Sequence, residues 1–228
     1  IRDRNMVAEQ MAAGLRQTNA GLTQFRCVAK MTLAGPNRPT KTFRAAMAGQ
    51  LSDRLRIDMF APFGGSAGSV SSDGKNLYLV MHPSREYYKK RFGSGNLRRM
   101  IQIDITVADL LEMMVGRIPM DAGLSARLMT DEIEARNHLA FVDQWGRTRQ
   151  RITVDDGMQQ MQSEWFEGSD QAAYTLVLSG RLAVDGFVLP ERIELSGANG
   201  ERVLVVLDRY EANVRFDENL FVLTPPSS

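Results

Sequence analysis

The chain has 228 residues, 43% of them apolar, and a formal charge of +1. That length supports one large domain or two small ones with a sizeable core, and so small a charge creates no global field for nucleic acid. Cys27 is the only cysteine, which excludes an internal disulfide and a multi-cysteine zinc site. No apolar run reaches the roughly 18 residues that a membrane-spanning helix needs. Because the sequence starts at Ile1 rather than Met, removal of an upstream segment, one able to carry a targeting signal, is expected.

Residues 1–19 read as a helix with Met6, Val7, Met11 and Leu15 along one stripe. From Gly21 the period becomes two. Phe25, Cys27, Ala29, Met31 and Leu33 alternate with Gln24, Arg26, Lys30 and Thr32, the signature of a half-buried strand. GPNRP at 35–39 is a turn. Phe43, Ala45, Met47 and Gly49 then share one side, followed by Leu51, Leu55, Ile57 and Met59. FAPFGGSAGS at 60–69 reads as a loop, Val70 as the start of a strand and Asp73-Gly74 as a tight turn. Leu77, Leu79 and Met81 resume the alternation. YYKKRF at 87–92 mixes aromatics with three cations. It can stack bases or hold anionic head groups, while the simpler reading is a solvated strand or hairpin.

The stretch Ile105–Pro119 organises the rest. Thr106 caps a short helix and Asp109 supplies the acidic half of a capping box. Val107, Leu110, Leu111, Met114 and Val115 recur at helical spacing, with Asp109 and Glu112 on the polar side. Gly116 offers a left-handed stop and Pro119 prevents a restart. A helix this short is marginal alone, so its apolar face must rest on a sheet or on something the sheet holds.

Residues 121–137 read as loop plus a short helix. Strands follow at 139–142, 151–154, 173–178, 181–184, 187–189, 193–195 and 203–207. Asp156-Gly157 is a further turn. Asp185-Gly186 and Asn199-Gly200 are hairpin signals, because a type I′ turn needs positive φ at both central residues. The count is about ten strands, mostly joined by hairpins, which specifies an antiparallel sheet rather than βαβ units. The predicted fold is mainly β (α+β): a single curved antiparallel sheet forming an incompletely closed barrel, with an N-terminal and a mid-chain helix lidding its concave face. No linker divides it. One domain is expected over residues 1–228, made of the 1–19 helix, strands over 20–104, the 105–119 helix and strands over 120–228.

No catalytic or metal-binding constellation stands out, and no cofactor is expected. His82 and His138 are the only histidines and lack metal-ligand spacing. No G-x-S-x-G elbow is present. GGSAGS at 64–69 lacks the lysine and helix of a phosphate loop. Cys27 alternates with core positions and reads as a small buried hydrophobe. Asp155-Asp156 sits at a turn glycine, where aspartate is favoured for backbone reasons. Two features are left. The chain has thirteen methionines, several on inward-reading strand positions, and methionine suits surfaces that accept varied apolar shapes. Phe60, Pro62 and Phe63 form an apolar loop on a glycine-rich stem.

Three stretches resemble the LolA/LolB group of bacterial periplasmic lipoprotein carriers and receptors, most closely the outer-membrane receptor LolB and related lipoproteins of unassigned function. They are RLRIDMFAPFGGSAGSVSSDG, DITVADLLEMMVGRIP and GFVLPERIEL. The resemblance spans residues 20–210 in order and spacing. It implies an incompletely closed barrel whose helices lid a hydrophobic cavity for lipoprotein acyl chains, and a lipid anchor just upstream of the chain. In that receptor an exposed apolar residue in the corresponding loop assists delivery to the membrane, and Phe63 is the nearest match. Gly65, Ser66, Ala67 and Gly68 depart from the bulky tip expected there, a departure that weighs against membrane delivery and leaves lipid binding intact.

The expectation is a non-enzymatic protein at the periplasmic face of the outer membrane. It would bind acyl chains of lipids or lipoproteins for lipoprotein localisation, make peripheral membrane contact through its anchor, and meet a periplasmic carrier protein but no nucleic acid. Candidate cavity residues are Met31, Phe43, Met47, Leu55, Ile57, Met59, Leu77, Leu79, Met81, Leu110, Leu111, Met113 and Met114. Candidate membrane-contact residues are Phe60, Pro62 and Phe63. The alternative is an envelope assembly lipoprotein with a solid core that binds a protein partner through its surface. A third class, an envelope hydrolase, needs a converging cluster that the sequence does not display.

Overall fold

The computed structural model describes residues 2–36, 38–51, 53–62, 64–91, 97–130, 137–155 and 160–225. Phe63, Phe92, the Asp156-Gly157 turn, the centre of the 35–39 turn and the 131–136 part of the proposed short helix lie outside them.

Helix α1 (Arg2–Gln17) precedes six consecutive strands: β1 (Gln24–Gly35), β2 (Arg38–Gln50), β3 (Arg54–Phe60), β4 (Ser66–Asp73), β5 (Asn76–Met81) and β6 (Glu86–Arg91). Two short helices follow, α2 (Arg98–Ile101) and α3 (Val107–Met114). A second run comprises β7 (Ser125–Thr130), β8 (Asn137–Val142), β9 (Thr148–Val154), β10 (Gln160–Phe166), β11 (Ala172–Ser179), β12 (Leu182–Val184), β13 (Phe187–Leu189), β14 (Arg192–Gly197) and β15 (Arg202–Ala212). Thirteen strands form one antiparallel sheet in the order β6-β5-β4-β3-β2-β1-β15-β14-β11-β10-β9-β8-β7, and β12 and β13 form a separate hairpin. The edges β6 and β7 do not pair, so the barrel is open. A register shift between Val28 and Ala29, against β15, bends the sheet at its centre.

Several local readings are corrected. Strand β4 begins at Ser66, so the loop after β3 is shorter than 60–69: ladder pairing with β3 and β5 overrides the glycine and serine content. Residues 125–130 of the proposed loop and short helix form β7, paired with β8. Strand β10 lacks an alternating signature, because QMQSEWF carries polar residues on both faces. Asp185 and Gly186 both have positive φ, as a type I′ turn requires, but at 199–200 only Gly200 does. There a wider loop closes with Gly197 N–H donating to the Glu201 carbonyl at 2.8 Å.

Helix α1 also faces differently from its apolar stripe. Ala8 and Ala12 are buried, while Met6 and Met11 are 61% and 46% exposed and Val7 is exposed too. Small residues let the helix lie close against β7, and Glu9 Oε1 accepts from Ala126 N–H at 2.8 Å, which satisfies an outward donor of that edge strand. The opposite edge, β6, presents Lys89, Lys90 and Arg91 to solvent, a charged edge that discourages strand addition. YYKKRF is thus a solvated strand as far as Arg91.

Helix α3 starts and stops as its residues dictate. Thr106 Oγ1 accepts from Asp109 N–H at 3.1 Å and Asp109 Oδ2 accepts from Thr106 N–H at 2.8 Å, a reciprocal capping box. Gly116 ends it with φ of +79°. At the C-terminus a 3-10 turn, Glu218–Phe221, lies on the outer face of β3–β6. It is held by Arg56 Nη1 donating to the Leu220 carbonyl, Ser71 Oγ to that of Phe221 and Tyr87 Oη to that of Leu223.

Candidate functional site

Strand register sorts the concave side chains into layers that cross the sheet. At one end Leu77, Ser72, Leu55, Gly49 and Phe25 stand side by side from β5 to β1. Helix α3 is seated here, and Gly49 is what admits it. A Cβ at that position would overlap the Phe25 ring and lie 2.7 Å from Leu111 Cδ2, so only glycine lets the helix approach. Leu55, Leu111, Met113 and Met114 are all buried. Phe25 stacks on Tyr210, ring centroids 5.5 Å apart, and Tyr210 Oη donates to the Met114 carbonyl at 3.1 Å. Burial pushes the Tyr210 hydroxyl up, so it remains a donor.

The next layers are Leu79, Val70, Ile57, Met47 and Cys27, then Met81, Gly68, Met59, Ala45 and Ala29. Beyond them lie Phe43 and Met31 with Val205 and Ile193, and finally Lys41 and Leu33 with Val203 and Leu195. Of helix α3, only Leu110 borders this region. The facing wall is the segment leading into the helix, with Leu97, Ile101 and Ile105. Between the two walls is a cavity of about 330 Å³. Strand β5 makes the opening plain. Its outer-face residues Tyr78 and Val80 are 2% and 4% exposed under the C-terminal segment, whereas Met81, on the concave side, is 37% exposed.

Of the residues singled out from sequence, Met31, Phe43, Met47, Ile57, Met59, Leu79, Met81 and Leu110 line this space. Leu55, Leu77, Leu111, Met113 and Met114 do not border it; Leu55 and Leu77 belong to the layer on which α3 is seated. Sequence reasoning missed Leu33, Ile193, Leu195, Val203 and Val205, together with Leu97, Ile101, Ile105, Arg38, Pro39 and Lys41. Alternation marks the β14 and β15 residues as inward, but nothing local joins them to β1. Phe60 is partly exposed and Pro62 exposed at the end of β3.

Cys27 is buried, and burial pushes its thiol up to about 12, which makes it a poor nucleophile. On the outer face a second space, of about 450 Å³, is bordered by Arg56, Asp58, Ser69 and His82 and by the C-terminal segment. Sequence spacing gave no hint of this grouping. Ser69 Oγ donates to Asp58 Oδ1 at 2.6 Å and lies 3.3 Å from His82 Nε2, while Arg56 grips the same carboxylate at 2.8 and 3.3 Å. The serine stands between aspartate and histidine, with its proton directed at a carboxylate rather than at imidazole. That order does not activate the hydroxyl. Among the described residues no group of three or more His, Cys, Asp or Glu could hold a metal, and no helix is long and apolar enough to cross a membrane.

No protein-family model matches the chain, and no curated protein is similar to it in sequence. Solved structures do resemble it. An outer-membrane lipoprotein-sorting protein domain from Vibrio parahaemolyticus aligns over 95% of this chain and 97% of its own, with 11% identity and a TM-score of 0.65. A LolA superfamily protein from Nitrosomonas europaea aligns over 95% and 97%, with 13% identity and a TM-score of 0.62. A DUF1329 family protein from Desulfovibrio piger aligns over 96% and 97%, with 13% identity and a TM-score of 0.67. The chain therefore has the incompletely closed, helix-bearing β-barrel fold that these LolA-superfamily, lipoprotein-sorting and DUF1329 structures share.

Proposed function

We propose that this protein is a periplasmic binding protein that takes an acyl chain of a lipid or lipoprotein into the open half of its concave face. In this reading it is held by a lipid anchor at the outer membrane and serves lipoprotein localisation there, exchanging cargo with a periplasmic carrier. The observation that supports it most is the inversion of burial on β5, where the concave residue Met81 is open and the outer-face residues are covered. Each methylene moved from water into such a space contributes about 0.8 kcal/mol, so a partly enclosed chain already gives useful affinity. Met31, Phe43, Met47, Ile57, Met59, Leu79, Met81 and Leu110 are the proposed contacts, and methionine adapts to chains of different shape.

Native mass spectrometry of protein purified from bacterial envelopes is expected to show bound lipid. Met47→Trp, which fills the space from an inward-facing position, is expected to abolish it while the protein stays folded. Recovery of lipid-free protein, together with no uptake of an added fatty acid, overturns the reading.

Phe60, Pro62 and Phe63 are proposed to touch the bilayer during exchange. Burial of each phenylalanine would contribute roughly 1.5–3 kcal/mol, a reversible hold. Phe63→Glu is expected to weaken association with liposomes, and unchanged association removes the loop from the scheme. A second reading, an assembly lipoprotein that holds a protein partner on its surface, is favoured by the exposure of Met6, Val7 and Met11 on α1. It predicts lipid-free protein in the same mass spectra.

A further inference from the structure

The charges around the cavity have one sign. Among the described residues that line it, Arg38 and Lys41 carry charge and no carboxylate does. Their position follows from the strand period. Lys41, Phe43, Ala45 and Met47 occupy alternate positions of β2 and therefore one face, and Phe43 and Met47 line the cavity. Lys41 is the residue at which that apolar face reaches solvent, paired with Leu33 of β1 and exposed. Arg38 begins the same strand, its Nη2 donating to the Ala34 carbonyl at 3.5 Å and to the Ile101 carbonyl at 3.3 Å, which places it between the β1–β2 hairpin and the opposite wall.

The nearby carboxylates on β14 and β15 are engaged elsewhere. Glu194 pairs with Arg202 at 2.8 Å, and Glu201 accepts from Asn199 N–H at 3.2 Å inside its own turn. The apolar interior thus ends in two cations. The size of the space adds a second constraint. At about 330 Å³ it lies at the lower end of the roughly 300–1,000 Å³ typical of ligand sites, which suits one chain rather than several.

We propose that the cavity mouth selects a single-chain anionic amphiphile, with its carboxylate or phosphate headgroup held between Lys41 and Arg38. This rests on the acyl-chain reading above and narrows it to a charge class. A positive mouth attracts an anionic headgroup and leaves the chain pointing inward, so charge also sets the orientation of entry.

The test compares three ligands of one chain length, dodecanoate, dodecyl phosphate and dodecanol, by displacement of a fluorescent fatty acid from the full chain at a pH where both acids are ionised. Both anions are expected to bind about tenfold tighter than the alcohol, the scale of one charge-assisted hydrogen bond in a partly exposed site. The ratio should shrink as salt rises. Lys41→Met should reduce the preference several-fold, and Lys41→Glu should abolish it, with alcohol binding retained in both as the control for folding. A preference for dodecyl phosphate over dodecanoate, or the reverse, assigns the headgroup. Equal affinity for anion and alcohol, or a preference that both variants leave intact, overturns the headgroup inference while the acyl-chain reading stands. Failure of all three ligands to bind overturns both.

Discussion

The two halves of the concave face are built from the same alternation and end differently. Across β8–β11 the inward side chains Phe141, Ile152, Leu176 and Leu178 are buried, and none of them borders the cavity. The chain segment after α3 is tied to that half. Gln150, fully buried, donates from Nε2 to the Pro119 carbonyl at 2.8 Å and to Ser163 Oγ at 2.9 Å. The two bonds from Nε2 tie the segment to this half, although the amide's Oε1 is buried with no hydrogen-bond partner among the described residues. Across β1–β5 the corresponding surface carries methionines; Leu111 of α3 meets the layer at Gly49, and of α3 only Leu110 reaches the cavity. The open space lies where the strands face the segment with Leu97, Ile101 and Ile105 rather than the body of α3.

Truncation of one residue type on each side gives the largest expected effect. Met114→Ala, in the filled region, is expected to cost about 2–5 kcal/mol in urea unfolding. Met31→Ala, which faces the cavity, is expected to cost about 1–2 kcal/mol, because part of its surroundings is already unpacked. Equal costs would collapse the distinction between the halves.

Gly49→Ala probes the seat of the helix. The added methyl overlaps the Phe25 ring and is expected to cost about 1–3 kcal/mol in urea unfolding. A neutral result means that α3 is not seated on this layer. Thr106→Ala removes the cap of α3 and is expected to cost about 1 kcal/mol, which lowers the melting temperature by several degrees; α3 amides should also exchange faster with solvent.

The smallest effect lies outside both halves, at the β4–β5 turn. Burial pushes the Asp73 carboxyl up, but bonds from Asn76 N–H, Tyr78 O–H and Lys75 N–H outweigh it and hold the group down at about 2. A folded-state value below the unfolded one of about 3.9 means stability that is present above about pH 4 and is lost as pH falls through about 2. Asp73→Asn is expected to flatten the acid limb of the stability curve in that window and to leave ligand binding unchanged. An unaltered acid limb shows that the turn contributes nothing there.

Much of the fold is legible locally. Alternation locates the strands of the first meander because each has one apolar and one polar face. The capping box, the Gly116 stop and the Asp185-Gly186 turn are short-range rules that the structure follows. The α1 stripe misleads because Met6, Val7 and Met11 satisfy helical spacing without facing the core, while Ala8 and Ala12 are small enough for close contact with β7. Strand β10 is hidden because its neighbours, not its own composition, hold it in place.

Local patterns in the chain are enough for the β-rich class, the antiparallel connection of neighbouring strands, the start and end of α3, and which strand residues share a face. Those are consequences of periods of two and 3.6 and of turn chemistry, all read within a few residues. Which of the inward residues meet open space follows from long-range packing. That required the pairing of β1 with β15, the glycine beneath Leu111 and the tether from Gln150 to Pro119, contacts between residues far apart in the chain that no local pattern encodes.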